Sequence, residues 1–122
     1  MSVFVSVRGW LECDDEQLAQ IKGIIAAEPD RHYIEGWTFP GVQYNWGNWV
    51  FFGACMREQY VGWLLDQLRL VARLPASDED NDRVIGLFLA RHEVEGQSEW
   101  QVRDGDVVIK NANSEYQYLD AE

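Results

Sequence analysis

The dipeptide Asp104-Gly105 constrains this chain more than any other feature. A two-residue type I′ turn requires positive φ at both central positions, and aspartate followed by glycine supplies them at low steric cost. The flanking residues then fix a register in which Arg103 faces Asp106, Val102 faces Val107 and Trp100 faces Ile109. A slip of one residue would spoil all three pairs, so an antiparallel hairpin is anchored near the C-terminus.

The same alternation opens the chain. Val3, Val5 and Val7 alternate with Phe4, Ser6 and Arg8 and lead into Gly9, Trp10 and Leu11, predicting a strand over 2–12 with one buried face. Asp14 stands as an N-cap with Gln17 three residues on, the capping-box relation, and Asp15 and Glu16 suit the positive end of a helix. Leu18, Ile21, Ile24 and Ile25 form one stripe, so a helix is expected over 14–28, stopped by Pro29. A short strand is expected near 33–39. Asn48-Trp49-Val50-Phe51-Phe52 is apolar on both faces and predicts a central strand. Tyr60, Trp63, Leu64, Leu68 and Val71 recur at helical spacing, giving a helix over 57–73 that ends before Pro75, with Arg69 and Arg73 near its negative end. Val84 to Leu89 is an apolar run of strand length.

The order is therefore strand, helix, two strands, helix and three strands. It predicts an α+β domain in which two helices pack on one face of a mainly antiparallel sheet, ferredoxin-like in its first six elements and extended by the C-terminal hairpin. At 122 residues a single domain, 1–122, is expected. The tail from Asn113 carries Tyr116, Tyr118 and Leu119, enough apolar surface to dock on the body.

Charge narrows the partner. Twenty-one acidic residues oppose ten basic ones, a formal net charge of -11, which argues against a phosphate-binding surface and so against nucleic acid as a partner. No apolar window is long enough to span a bilayer, and the start has no basic leader, so no membrane partner and a cytoplasmic location are expected. Cys13 and Cys55 lack a CxxC spacing and are read as reduced thiols.

Little points to a reaction. His32 and His92 are the available near-neutral acid-base groups, and neither lies in a triad or metal-site spacing, so each reads as a histidine on the surface or at a strand end. Asp78, Asp80 and Asp82 resemble the start of a calcium loop, but Arg83 stands where glycine is needed and Leu89 where the bidentate glutamate belongs. Gly36, Gly41, Gly47 and Gly53 make no nucleotide-binding pattern, and no cofactor is expected. Trp37, Phe39 and Trp49 are read chiefly as core, whereas Tyr44 and Trp46 fall in what reads as an exposed turn.

The residue pattern instead suits a protein-binding inhibitor. Carboxylates at Asp78, Glu79, Asp80 and Asp82, with Glu93 and Glu95, would steer a cationic partner, and Tyr44 and Trp46 would anchor it. The runs Ser6 to Cys13, Gly86 to Glu93 and Trp100 to Gly105 resemble small bacterial immunity proteins of polymorphic or contact-dependent toxin systems. That resemblance implies a cognate toxin as partner, or another basic protein, and no enzymatic activity. Two other classes stay open: an adaptor that homodimerises through a strand edge or aromatic patch, and a small enzyme or ligand-binding domain using His92, Glu93 or Cys55.

Overall fold

The computed structural model describes residues 2–41, 47–77 and 80–120. It is α+β, built on a six-stranded antiparallel sheet of order β2-β3-β1-β4-β5-β6. The strands are β1 (Phe4–Cys13), β2 (Trp37–Thr38), β3 (Asn48–Arg57), β4 (Ile85–His92), β5 (Gly96–Arg103) and β6 (Asp106–Asn111). Helix α1 (Asp15–Ala26) follows β1, and α2 (Val61–Ala72) follows β3; short 3-10 turns occupy Ile34–Gly36, Glu58–Tyr60 and Ser114–Asp120.

Parity along β1 organises the molecule. Val5, Val7, Leu11 and Cys13 are buried, while Phe4, Ser6, Arg8, Trp10 and Glu12 project from the opposite face. The buried set meets Val50, Phe52 and Met56 of β3, Phe88 and Ala90 of β4, and Trp100 and Val102 of β5. Ile21 and Ile25 of α1, and Leu64, Leu68 and Val71 of α2, complete that core. Burying such side chains stabilises the fold by about 1.5–3 kcal/mol each before ordering costs are counted. Gln67 is buried among them, its Oε1 accepting from Trp37 Nε1 at 3.2 Å.

The capping box at Asp14 forms, with Asp14 Oδ1 accepting from the Gln17 backbone N–H at 2.7 Å and Gln17 Oε1 accepting from the Asp14 N–H at 3.0 Å. Asp104 and Gly105 have φ of 54° and 77°, and the hairpin pairs Arg103 with Asp106, Val102 with Val107 and Trp100 with Ile109, in the expected register.

Other expectations are corrected. Trp37 and Thr38 are the only described residues of 33–39 in the sheet, because Tyr33 to Gly36 turns on itself through a Gly36 N–H to Tyr33 O bond of 3.0 Å. The second helix begins at Val61, since β3 runs on to Arg57 and keeps Met56 buried against β1. β3 lies inside the sheet, but Trp49 and Phe51 are 39% and 43% exposed, so it is buried on one face only. The tail meets the sheet through polar groups rather than by burying its apolar side chains: Gln97 Nε2 donates to Tyr116 O and Asp120 Oδ1, Arg91 Nη1 donates to Asp120 O, and Tyr118 is 71% exposed. Among the described residues no helix is long and apolar enough to cross a membrane.

Two glycines permit the close contact of β1 with β4. A Cβ on Gly9 would lie 2.2 Å from Leu87 O, and one on Gly86 would lie 2.3 Å from Trp10 O. Both obstacles are backbone and cannot swing aside. Gly9→Ala should therefore destabilise the protein by about 1–3 kcal/mol, read as a lower urea midpoint at unchanged slope. An unaltered midpoint would show that the two strands can part without loss.

Candidate functional site

The described end of the sheet that carries Cys13, Ile85 and the Asp104-Gly105 turn opens into a cleft of about 910 Å³. Its walls carry the carboxylates of Glu12, Asp14, Asp80, Asp82 and Asp104, and the guanidinium groups of Arg83 and Arg103. The acids outnumber the bases, and both bases sit toward the hairpin. Arg103 Nη1 bonds Asp104 Oδ2 at 2.9 Å, and Arg83 lies over Gly105, where an added Cβ would meet its Nη1 at 3.2 Å.

Gln17 builds one wall. It is buried, and beyond its capping role its Nε2 donates to Asp82 O at 3.0 Å and Pro75 O at 3.4 Å. Ser77 Oγ donates to the Asp14 carboxylate, and Asn48 Nδ2 donates to Asp15 Oδ1 at 2.8 Å. The helix start, the acidic loop and β3 are thus tied together by polar groups that read in sequence only as a local cap.

Cys13 forms the floor. Burial pushes its thiol up from the ordinary 9.0 to about 12, and the Asp14 and Asp15 carboxylates add to the shift by opposing a second negative charge. Cys55 is exposed on the opposite face of the sheet, and both thiols are free.

The sequence-derived site is not one patch. Asp80 and Asp82 line the cleft, whereas Glu93 and Glu95 occupy the turn at the other end of the eight-residue β4, about 26 Å away at strand rise. Asp78, Glu79, Tyr44 and Trp46 lie outside the described residues. Glu12, Asp14 and Asp104 were missed as cleft carboxylates because they are remote in sequence and meet only where β1, the loop and the hairpin converge.

The histidines hold turns. His92 Nδ1 accepts from the backbone N–H groups of Val94 and Glu95, at 3.1 and 3.0 Å, and its Nε2 contacts the Glu58 carboxylate. Both nitrogens are engaged, and the ring is on the core face beside Val5 while Cys55 projects from the other. His92 and Cys55 therefore cannot form a nucleophile-base pair across the sheet. His32 Nδ1 lies 2.6 Å from Asp30 Oδ1, and its ring stacks on Tyr60 with centroids 4.5 Å apart. The Asp30 carboxyl is held below its ordinary value, first by the His32 backbone N–H and then by the ring.

A second cavity, of about 420 Å³, lies between α2 and β5, with Glu58, His92, Glu95 and Ser98 around Val61, Leu65 and Trp100. No protein-family model, curated protein or solved structure matches the chain.

Gln17→Ala should cost about 1–2 kcal/mol and speed amide exchange across 80–84, because the loop loses its donor from α1. Exchange confined to global unfolding in the variant would contradict this anchoring. For Cys13 the folded state keeps a proton that the unfolded chain begins to release near pH 9. Its contribution is complete below that pH and is lost as pH rises toward 12. Cys13→Ala should flatten the alkaline limb of the stability profile, and an unchanged limb would assign the loss to other groups.

Proposed function

We propose that this chain is an acidic binding protein that neutralises a basic cognate toxin or effector by seating a cationic segment of it in the Glu12-Asp80-Asp82-Asp104 cleft. The observation that carries this reading is the convergence of five carboxylates on one cleft from three separated parts of the chain. Inside a partly enclosed site, such charges attract a cation more strongly than the same number scattered on an open surface. Steering would bring the partner in, and bidentate arginine-carboxylate contacts would slow its departure.

The immunity-protein resemblance fits this mode of action, since blocking a basic cleft needs a rigid, negatively charged surface and no chemistry of its own. Free thiols at Cys13 and Cys55 suit a reducing cytoplasm. The sub-order β4-β1-β3-β2, with α1 and α2 as the intervening crossovers, supports reading the first part of the fold as ferredoxin-like, with β5 and β6 as an added hairpin.

Capture from the source cell with the wild-type chain and with Asp80→Asn/Asp82→Asn/Asp104→Asn tests the reading. Asparagine tolerates the positive φ at position 104, so the turn is preserved. A basic protein should be retained by the wild type, with an association rate that falls steeply with salt and drops roughly tenfold or more in the variant. Equal, salt-insensitive binding by both would overturn it.

A further inference from the structure

The sheet ends in two unlike edges. At one end of the order β2 contributes only Trp37 and Thr38, and near it the Arg57 N–H of β3 is taken by the Tyr33 hydroxyl at 2.9 Å. At the other end β6 is a regular strand, Asp106–Asn111, bonded among the described residues to β5 alone. A regular strand with one open side is a template for another strand.

The hairpin decides which groups that side offers. A two-residue loop makes Arg103 and Asp106 a hydrogen-bonded pair, so Asp106, Val108 and Lys110 turn their N–H and C=O groups toward β5. Ala112, of the same parity, accordingly donates its N–H to Gln97 O at 3.4 Å. Val107 and Ile109 direct theirs outward, where the Val107 N–H is met by the adjoining Asp106 Oδ1 at 2.8 Å. Side chains alternate as well. Val107 and Ile109 lie on the helix face in the rows of Val102 and Trp100, whereas Asp106, Val108 and Lys110 lie on the outer face. Ile109 is 48% exposed beside buried Trp100.

We infer that β6 is a homodimerisation edge, pairing antiparallel with β6 of a second copy about a two-fold axis at Val108. Val107 then stands opposite Ile109 of the second copy, and again by symmetry, so the outward backbone groups close reciprocal N–H···O bonds. Asp106 gives up the Val107 N–H and faces Lys110 of the second copy instead. On the outer face the row across the joined sheet reads Glu99, Lys110, then Asp106 and Arg103 of the second copy, so each inner charge lies between two of opposite sign. On the helix face the row reads Val102, Val107, then Ile109 and Trp100 of the second copy, apolar throughout. Moving the axis to Ile109 would set Lys110 against Val108 and Asp106 against Ala112, losing both ion pairs. This complementarity selects the occupant: a second copy brings an acid for Lys110, a base for Asp106 and a valine for Ile109 in one register.

Helix α2 adds contact. Val61 and Leu65 share a cavity with Asn111, and Ala72 O lies 3.8 Å from where a Gly105 Cβ would be, so α2 runs antiparallel along β6. The axis stands normal to the sheet, keeps both helix faces on one side and brings the two α2 helices next to each other. A paired span of about 17 Å is short, which places self-association in the micromolar range or weaker.

Sedimentation of the full chain from micromolar to near-millimolar concentration tests the inference. The wild type should move from 14.1 kDa toward twice that mass. Lys110→Glu and Asp106→Lys each set like charges opposite one another across the axis, and each should weaken self-association roughly tenfold with circular dichroism unchanged. An equimolar mixture of the two variants should restore it, because each then meets opposite charge on the other. Amide exchange in the wild type needs no variant: with rising concentration it should slow at Val107 and Ile109 relative to Val108 and Lys110, which are already bonded to β5. A chain that stays monomeric throughout, as it would if this edge served a peptide of another protein, overturns the pairing. So does a mixture no stronger than its components, or exchange at Val107 and Ile109 that ignores concentration. None of these residues lines the acidic cleft, so this outcome is independent of the partner-capture experiment.

Discussion

The ladder of β1 with β3 on one side and β4 on the other is the constraint on which the rest depends. β1 is paired along its length with β3, from Phe4 opposite Arg57 to Cys13 opposite Asn48, and β4 follows it from Val5 to Glu12. A strand bonded on both edges has no freedom to slip, and any one-residue shift would exchange its buried valines for Arg8 and Glu12. Gly9 and Gly86 let the backbones close to a distance that any side chain would forbid. The core, the cleft at the Cys13 end and the rings of Trp49 and Phe51 on the far face all inherit their positions from that register.

The register also turns a composition into an electrostatic shape. Net charge is a sum over the chain, and the fold distributes it unevenly: carboxylates from β1, the loop before β4 and the hairpin gather at one end, while along β5 and β6 Glu99 stands opposite Lys110 and Arg103 opposite Asp106. At physiological ionic strength screening acts over about 8 Å, less than the span of the domain, so the two regions present different fields to a partner. A molecule of this kind can attract a cation at one place and present balanced charges at another.

Local signals were legible where the physics is local. The positive φ of Asp104 and Gly105 and the cap at Asp14 depend on neighbours within a few residues, and each formed as its sequence implies. Residues 33–39 and 53–57 differ from their sequence reading because their states are settled elsewhere: Gly36 has the Phe52 ring where a Cβ would be, and Met56 stands opposite Val5 in the sheet and is buried in the common core. For the candidate site, Asp80 and Asp82 were legible as a charged run. Their union with Glu12, Asp14 and Asp104, and their separation from Glu93 and Glu95, required the strands to be placed.

By itself the sequence determined the α+β class, the helix start at Asp14, the terminal hairpin with its register and the excess of acid, since these follow from periodicity, turn chemistry and counting. Only the tertiary structure decided which acids share a cleft, which rings face outward and which thiol is sealed in the core. The physical reason is that burial and electrostatic proximity are relations between residues distant along the chain, and side-chain parity acquires a direction only once strands have chosen their neighbours.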